Sequence, residues 1–343
     1  MDDMDGAMAG AGTGVTADGA AVGAAGAAAA TESTAGGAAA GDGRIGLVLE
    51  GGAMRGMFTA GVLDVLMRAQ VECDAMIGVS AGAALGCNYK SRQIGRALRY
   101  NKRFCADPRY AGVRSWLTSG DVYNVHFAYG VVPFRIDPFD ERAFAANPMG
   151  FWCVATDADT GEPAYRSMPR TMDMPFLRAS ASIPIASRPV SIDGRAYVDG
   201  GVSDPVPLAF FEKQGFARTI VVLTQPDDYR KTPLPHMRAI RLALHRHPRL
   251  AEAIERRPGM YNEEIEYVRE RERAGAALVI RPAESLNIGA VCKDPAELQR
   301  VYDCGVHTAT DMLPRVLEFV GRDHVGRRDV PYTTRIIAPQ RSI

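Results

Sequence analysis

Short runs of consecutive apolar residues alternate along this chain with segments in which apolar residues recur every three or four positions. Such runs, bounded by glycine or polar residues, are typical of strands that are buried on both faces. They predict strands at Arg44–Glu50, Cys73–Val79, Gly150–Thr156 and Ala217–Thr224. Helical spacing predicts a helix over Met57–Ala69, between the first two strands. This alternation indicates an α/β fold with a mostly parallel sheet flanked by helices.

Proline, glycine and charged residues predict the remaining elements. A turn at Asp157–Gly161 indicates a hairpin that returns through Pro163–Arg166. A helix over Asp173–Ser182 ends before Pro184. Four further predictions are a strand over Ser191–Val198 with a turn at Asp193-Gly194, a helix over Pro205–Gln214, a charged helix within Arg246–Arg273 and a short strand at Leu278–Arg281.

The first 40 residues differ in composition from the rest of the chain. They contain five acidic residues, no Lys or Arg, and mostly Ala and Gly. Because such a segment buries too little apolar surface to offset its ordering entropy, we expect residues 1–43 to be a disordered tail. Its acidic start and weakly apolar core are unlike a secretory signal. Residues 44–230 are expected to form the main domain, and residues 231–343 a mainly helical region packed on it.

Charge and cysteine content exclude several classes of function. From residue 41 onward, 40 Lys and Arg stand against 35 Asp and Glu, with no basic run, which does not suggest nucleic-acid binding. No run of about 18 strongly apolar residues occurs, so no membrane-spanning helix is expected. The six cysteines have no C-x-x-C spacing and are expected to be reduced, mostly buried thiols. No cluster has metal-ligand spacing, and no metal is expected.

Gly78-Val79-Ser80-Ala81-Gly82 is a G-x-S-x-G sequence between a predicted strand and a small-residue helix start. In a nucleophile elbow, this pattern places the serine on a sharp turn with its hydroxyl exposed. Flanking glycines let the strand and helix approach closely, and the helix N-terminus favours developing negative charge. The alternative is a tight packing turn between strand and helix, because Gly and Ala are abundant in this chain.

The segment Glu50–Gly56 (EGGAMRG) directly follows the first predicted strand. Its small residues leave several backbone N–H groups pointing into a shared space, as in an oxyanion hole or a phosphate-binding loop. A P-loop would end in G-K-[ST], and a dinucleotide-binding loop would have glycine in place of Ala53, so neither phosphate loop fits. A tight turn is the structural alternative.

Asp199-Gly200-Gly201 directly follows the strand predicted at Ser191–Val198. A carboxylate flanked by glycines at a strand end can approach another loop, although Asp-Gly is also a common turn. Ser80 follows Gly52 by 28 residues, which is one strand–helix–strand unit. The glycine loop and the serine are therefore expected at the carboxyl ends of neighbouring strands, where open α/β sheets bind ligands.

The set EGGAMRG, GVSAG and DGG resembles the patatin-like phospholipase family, in particular its bacterial members, whose motifs are G-G-G-x-[RK]-G, G-x-S-x-G and D-G-[GA]. The small-residue block Ala179–Pro184 is similar to a block of the family between the serine and the aspartate. The resemblance covers about residues 44–225, and the tract after it is similar to the tail of some bacterial members. One departure is Ala53, which stands where the family has its third glycine. Alanine keeps the N–H group but adds a methyl group to the loop.

The resemblance implies a three-layer α/β/α fold and a serine lipid acyl hydrolase of the phospholipase A or lysophospholipase type, with residues 44–230 as the catalytic domain. It implies no cofactor and a lipid or phospholipid acyl ester as substrate. The lack of an export signal and the expected reduced thiols indicate a cytoplasmic location, and a transient contact with a membrane surface is a further expectation. The roles it implies are the nucleophile Ser80, the base Asp199, the oxyanion-hole N–H groups of Gly51, Gly52 and Ala53, and support from Arg55, Gly78, Gly82 and Gly200.

Two alternatives remain open from the sequence. A Ser-His-Asp triad of the α/β-hydrolase type would use His307 or His324, although the short spacing between glycine loop and serine argues against it. A non-catalytic lipid-binding protein would retain the same pocket. Residues 101–149 lack clean periodicity and are a candidate lid over the cleft, and the helix within Arg246–Arg273 is a candidate for a solvated, membrane-docking or subunit-contact surface. Five apolar residues are candidates for an acyl pocket or for the core: Met54, Met57, Phe58, Trp116 and Trp152.

Overall fold

The computed structural model describes residues 43–326, apart from the side chains at positions 113, 114 and 118. The tail predicted at residues 1–43 thus lies outside the described residues except for its last position, as do residues 327–343. The described strands are β1 (Ile45–Leu49), β2 (Ala75–Val79), β3 (Gly150–Asp157), β4 (Pro163–Ser167), β5 (Val190–Ile192), β6 (Arg195–Asp199), β7 (Arg218–Val222) and β8 (Ala277–Ile280).

Helices connect most of these strands. They are α1 (Gly56–Arg68), α2 (Ala81–Lys90), α3 (Arg96–Phe104), α4 (Val113–Ser119), α5 (Glu141–Ala146), α6 (Met174–Ser180), α7 (Leu208–Lys213), α8 (Met237–Ala243), α9 (Pro248–Arg273) and α10 (Pro295–Val320). A π-helical segment spans His126–Ile136, and short 3-10 turns lie at Ala53–Arg55, Gly200–Val202 and Arg322–His324. None of the helices within residues 43–326 combines the length and the apolar character that crossing a bilayer requires.

One mixed sheet organises the described part of the chain. Hydrogen-bonded pairs link the strands in the path β5-β6-β3-β2-β1-β7-β8, and β4 also pairs with β3. β2 and β6 share one edge of β3, and β4 occupies the other. Strands β1, β2, β3, β7 and β8 are mutually parallel, whereas β4 and β6 run antiparallel to β3. The prediction of a mostly parallel α/β sheet is therefore confirmed.

Both faces of the sheet are covered by helices. Ile45, Leu47 and Leu49 of β1 pack in one hydrophobic cluster with side chains of α1, α2 and α10. Val48 points to the other face and packs in a second cluster with α7 and α9. Because successive side chains of a strand face opposite sides, β1 is apolar throughout and buried on both faces. The result is the three-layer α/β/α architecture.

Residues after position 231 take part in all three layers. β8 pairs with β7 in the sheet, α9 covers one face and α10 covers the other. Helices α1 and α10 cross at two glycines: a Cβ added to Gly61 would lie 2.2 Å from Tyr302 O, and one added to Gly305 would lie 2.1 Å from Phe58 O. Only glycine permits backbones to approach this closely.

The predicted strands are all present, with ends that shift by one or two residues. Ser191–Val198 is a hairpin of β5 and β6 that turns at Asp193-Gly194. Helices α3, α4 and α5 were not predicted, because the segment that contains them lacks a clean 3.6-residue period. Helices α8 and α10 were predicted only as part of a mainly helical C-terminal region. The six cysteines are free thiols, four of them buried, as expected.

Candidate active site

Ser80 occupies the single position between β2 and α2. Its backbone has φ 53° and ψ −120°, a region that residues with a side chain rarely adopt. Both neighbouring glycines are required there, since a Cβ at Gly78 would lie 2.6 Å from Ala83 N and one at Gly82 would lie 2.4 Å from Leu49 O. Conformations of this kind store about 1–3 kcal/mol and are held by their surroundings. The local geometry is that of the predicted elbow.

β2 and β6 end opposite adjacent residues of β3, and this brings Ser80 next to Asp199. Val79, the last residue of β2, pairs with Val154, and Asp199, the last residue of β6, pairs with Ala155. β4 occupies the other edge of β3 at both positions. β2 and β6 therefore lie end to end along the same edge of β3. Since they run in opposite directions, their carboxyl ends meet.

The two side chains form a buried hydrogen-bonded dyad. Ser80 Oγ donates to Asp199 Oδ2 at 2.6 Å, and Asp199 Oδ1 accepts from the N–H of Gly201 at 2.8 Å. Each residue of the pair is 7% exposed. Burial raises the pKa of Asp199 above its ordinary value, against the lowering effect of the hydrogen bond from Ser80. A carboxylate with a raised pKa is a stronger base, which suits it to accept a proton from a serine.

Gly200 allows the aspartate loop to turn back against β3. A Cβ at this position would lie 2.3 Å from Val154 O. The Ser80 N–H donates to Ser180 Oγ at 2.9 Å, and Asp199 N–H donates to Ser182 O at 2.9 Å. The small-residue block identified in the sequence thus contacts both members of the dyad.

The glycine loop lies at the carboxyl end of β1, beside the serine. A Cβ at Gly51 would lie 3.1 Å from Ser80 Cβ, and one at Gly52 would lie 2.7 Å from Thr224 Oγ1. Within residues 43–326 the N–H groups of Gly51, Gly52 and Ala53 have no hydrogen-bond acceptor. Ala53 has φ 48°, a conformation that favours glycine, in agreement with the glycine at this position in the family motif. The loop thus offers free donors next to the serine hydroxyl.

A buried carboxylate that the sequence analysis missed anchors this loop. Glu50 is 2% exposed and accepts hydrogen bonds from Tyr261 OH at 2.9 Å and from Thr224 Oγ1 at 3.1 Å. Thr224 N–H also donates to it, at 2.5 Å. Burial and the neighbouring Glu50 carboxylate raise the pKa of Tyr261. An acidic residue directly before two glycines in an apolar strand was the available sequence signal.

Three cationic side chains surround the dyad and the glycine loop. Arg55 Nε donates to Thr224 Oγ1 at 3.5 Å, beside the glycine loop. Arg257 Nε, on α9, donates to Gly201 O. Lys231 Nζ lies 4.1 Å from the centre of the Tyr261 ring. Sequence reasoning did not find Lys231 or Arg257, because both belong to the tract after the three motifs.

An apolar cavity opens at Ser80 on the face covered by α1 and α2. Met54 and Met57, two of the candidates for an acyl pocket, line it. Phe58 is instead buried in the core, Trp152 packs against the Phe210 ring, and Trp116 is 44% exposed. Part of the candidate lid, residues 101–149, forms one wall of the cavity through Asn101, Tyr110, Tyr123, Ala128, Tyr129, Val132, Pro133 and Phe139.

The late histidines lie far from this site. His324 Nε2 pairs with Asp74 Oδ2 at 2.9 Å, at the amino end of β2. Ser80 follows the opposite end of that strand, about 20 Å away at about 3.3 Å per residue. His307 is exposed on α10. None of the six histidines, all within residues 43–326, is a hydrogen-bond partner of Ser80 or Asp199. The histidine triad is therefore wrong.

The charged helix predicted within Arg246–Arg273 is α9. Its apolar stripe, which includes Ile254, Ile265 and Val268, is buried against other parts of the fold. Docking of this stripe on a membrane is therefore excluded. Among the described residues no group of three or more His, Cys, Asp or Glu side chains is arranged to hold a metal ion.

Two family models match the chain. A patatin-like phospholipase model matches residues 47–211, and a model described as a domain of unknown function (DUF6363) matches residues 247–321. The uncharacterized protein YjjU of Escherichia coli is 32% identical over 197 residues, which are 56% of this chain and 55% of YjjU. Lysophospholipase NTE1 of Scheffersomyces stipitis is 27% identical over 204 residues, which are 55% of this chain and 12% of that protein. The crystal structure of VipD from Legionella pneumophila aligns with a TM-score of 0.41 at 12% identity, covering 82% of this chain and 70% of that one.

Each family model matches a different part of the candidate site. The first model covers the glycine loop, Ser80 and Asp199, and the second covers Arg257 and Tyr261 of α9. Lys231 lies between the two models. The chain spans 55% of the length of YjjU and 12% of the fungal lysophospholipase.

Proposed function

Because the chain belongs to the patatin-like phospholipase family, we propose that it is a serine lipid acyl hydrolase of the phospholipase A or lysophospholipase type. The observation that carries the proposal is the 2.6 Å hydrogen bond from Ser80 Oγ to Asp199 Oδ2 at the mouth of an apolar cavity. A serine held by a buried base in this way is poised for nucleophilic attack.

Acylation begins when Ser80 Oγ attacks the ester carbonyl carbon and its proton moves to Asp199 Oδ2. The carbonyl electron pair shifts to oxygen, and the N–H groups of Gly51, Gly52 and Ala53 stabilise the oxyanion. Removing one donor of this kind typically raises the barrier by about 3 kcal/mol. When the tetrahedral intermediate collapses, the bond to the alcohol breaks and Asp199 returns the proton to the departing oxygen. The acyl group remains on Ser80.

Deacylation repeats the sequence with water. Asp199 accepts a proton from water, the oxygen attacks the acyl carbonyl, and the second collapse returns a proton to Ser80 Oγ. The acyl chain lies in the cavity that Met54, Met57 and Leu85 line. Each buried methylene contributes about 0.8 kcal/mol to binding, so the cavity favours aliphatic over polar acyl groups.

Covalent labelling tests the proposal. A fluorophosphonate probe is expected to modify wild-type protein at one position, which peptide mapping assigns to Ser80, because the activated hydroxyl and the free N–H donors stabilise the phosphonyl adduct as they do an acyl oxyanion. Turnover of p-nitrophenyl acyl esters is followed in parallel. Protein that neither labels nor turns over, even with detergent or vesicles, would overturn the proposal in favour of a lipid-binding protein.

We also propose that the protein contacts the membrane surface transiently, around the mouth of the cavity. Ile183 lines the cavity, and three more apolar residues are exposed in the segments around it, Trp116, Leu117 and Ile185. Trp116 Nε1 donates to Ile185 O at 3.4 Å, which links two of these segments. The exposed fractions are 44% for Trp116, 71% for Leu117, 38% for Ile183 and 51% for Ile185. The free thiols favour a reducing compartment, which supports the cytoplasmic side of a membrane.

Leu117→Asp is expected to weaken binding to phosphatidylcholine vesicles by about tenfold or more, because burial of a leucine is worth about 1.5–3 kcal/mol. Vesicle flotation measures the bound fraction. Leu242→Asp is the matched control, since Leu242 is 74% exposed on α8, away from the cavity, and binding should stay within about twofold of wild type. Equal binding by wild type and Leu117→Asp would contradict the contact.

A further inference from the structure

We propose that Arg55, Lys231 and Arg257 together bind the phosphate group of the substrate's headgroup, so that the enzyme selects phosphate-bearing acyl esters over neutral ones. This assignment rests on the proposed acyl hydrolase function. Lys231 and Arg257 lie outside residues 47–211, and Arg257 lies in the region matched by the domain of unknown function. The proposal therefore gives that region a direct role in substrate recognition.

Arg257 lies directly beside the base. Its Nη2 is 3.5 Å from the position that a Cβ on Gly201 would take, and Asp199 Oδ1 is 3.1 Å from the same point. Nε of the same guanidinium donates to Gly201 O, which fixes its plane against the loop. The remaining N–H groups of the guanidinium are available to bind two phosphate oxygens at once, a geometry for which arginine is suited.

Lys231 and Arg55 each contact a residue that is hydrogen-bonded to Glu50. Tyr261 and Thr224 both donate to the Glu50 carboxylate. Lys231 Nζ stands over the Tyr261 ring, and Arg55 Nε donates to Thr224 Oγ1. The two cations are thereby held close to the residue that precedes Gly51.

The three cations lie near the carboxylates of Glu50 and Asp199 without forming a direct ion pair with either. Among the residues that the structure describes, none of the three cations forms an ion pair, and all three are partly exposed. Burial and the charge of Asp204 raise the pKa of the nearby Glu264, which lessens the negative charge of this carboxyl pair. Partly desolvated cations without a direct ion-pair partner are stabilised further by an anionic ligand.

The cations and the acyl cavity lie on opposite sides of Ser80. The cavity is on the α1 and α2 face of the sheet, whereas Tyr261 beneath Lys231 belongs to the cluster on the α7 and α9 face. An ester carbonyl at Ser80 would therefore direct its acyl chain into the cavity and its alcohol portion toward the cations. In a phospholipid or lysophospholipid that portion bears the phosphate.

Kinetics on two substrates with the same acyl chain test the assignment. Lysophosphatidylcholine carries the phosphate and monoacylglycerol lacks it, and both are used below their critical micelle concentrations. Lys231→Met keeps the aliphatic stem on Tyr261 and removes the charge. It is expected to lower the ratio of kcat/KM for lysophosphatidylcholine to that for monoacylglycerol by about tenfold or more, since a hydrogen bond to a charged group contributes about 1.5–3 kcal/mol.

Two further variants separate charge from structure. Lys231→Arg should restore most of the ratio, whereas Arg256→Met should leave it at the wild-type value, because Arg256 is exposed on α9 next to Arg257. An equal fall for both substrates in Lys231→Met would indicate a structural role and overturn the proposal. So would an unchanged ratio.

The pH dependence gives a second test. Burial, with the positive charges of Arg257 and Arg55, lowers the pKa of Lys231 to about 8, against the opposing effect of Glu50 and Glu264. The lysine is therefore charged below this pH and loses its proton above it. The substrate ratio of wild type should be highest below pH 8 and fall as the pH rises through about 8–9, while Lys231→Arg keeps its ratio. A flat wild-type profile would count against the site.

A binding measurement keeps the two proposals distinguishable. The Ser80→Ala variant is used so that binding is measured without turnover, and it is titrated with a monomeric alkylphosphocholine. Its affinity for this ligand is expected to fall about tenfold when Lys231→Met is added. An uncharged alkyl glycoside of equal chain length should bind both proteins alike. Equal affinities for the alkylphosphocholine would overturn the phosphate site even in a protein that hydrolyses esters. Inorganic phosphate that binds as tightly as the alkylphosphocholine would assign the site to free phosphate instead and overturn the headgroup proposal.

Discussion

Ser80→Ala is expected to lower kcat for p-nitrophenyl ester hydrolysis by at least about 10⁴-fold, which is the usual scale for loss of a serine nucleophile. Alanine retains the Cβ, so the backbone at φ 53° has the same steric demands and the fold should persist. The variant lacks the only hydroxyl that the structure places on Asp199 Oδ2 within the described residues. Fluorophosphonate labelling should disappear with turnover, and circular dichroism should show a cooperative melt.

Ser203→Ala provides the matched control for Ser80→Ala. Ser203 Oγ lies 2.7 Å from Thr156 Oγ1, and Thr156 in turn donates to Asp199 O. It is thus a hydroxyl near the same loop whose hydrogen-bond partner is Thr156 and not a side chain of the dyad, and its removal should change kcat by less than about fivefold. Labelling that persists in Ser80→Ala would assign the nucleophile to another residue.

Asp199→Asn is expected to reduce kcat by about 10³–10⁴-fold, the range found when a triad aspartate or general base is lost. Two donors converge on the carboxylate, namely Ser80 Oγ–H and the Gly201 N–H. Asparagine has one acceptor oxygen, so when that oxygen accepts from Gly201 its NH₂ group donates toward Ser80 Oγ. The hydrogen bond is then reversed, and no base is present to remove the serine proton.

The pH–rate profile distinguishes loss of the base from general damage. Because burial raises the pKa of Asp199, wild-type kcat/KM should increase with pH as that carboxyl group deprotonates, and this limb should be absent in Asp199→Asn. Asp204→Asn is the matched control, since this neighbouring carboxyl accepts from Tyr165 OH outside the dyad, and its effect should stay below about tenfold. A fall in His307→Ala as large as that in Asp199→Asn would contradict the dyad.

Sequence patterns predicted the elements and the motif geometry wherever local sterics decide the conformation. Ser80 lies in an elbow because Gly78 and Gly82 alone permit the contacts with Ala83 and Leu49. The apolar runs predicted the strands because a strand buried on both faces has no polar side. These features depend either on contacts between residues close in sequence or on the burial of a whole strand. The local amino-acid sequence is enough to predict each of them.

The meeting of the motifs depended on tertiary structure. Ser80 and Asp199 are 119 residues apart, and their contact follows from the register of β2 and β6 on β3. Tyr261 reaches Glu50 across 211 residues, and Arg257 reaches Gly201 across 56. The pairing of His324 with Asp74, which excludes the histidine triad, spans 250 residues.

The chain by itself therefore determined the sheet, the elbow and the glycine loop, since each follows from local backbone geometry and the period of its apolar residues. Only the folded structure decided which carboxylate the serine meets, which cations lie beside it and which segment forms a wall of the apolar cavity. The physical reason is that a hydrogen bond between distant residues requires only one donor and one acceptor. Neither partner leaves a local pattern that identifies the other.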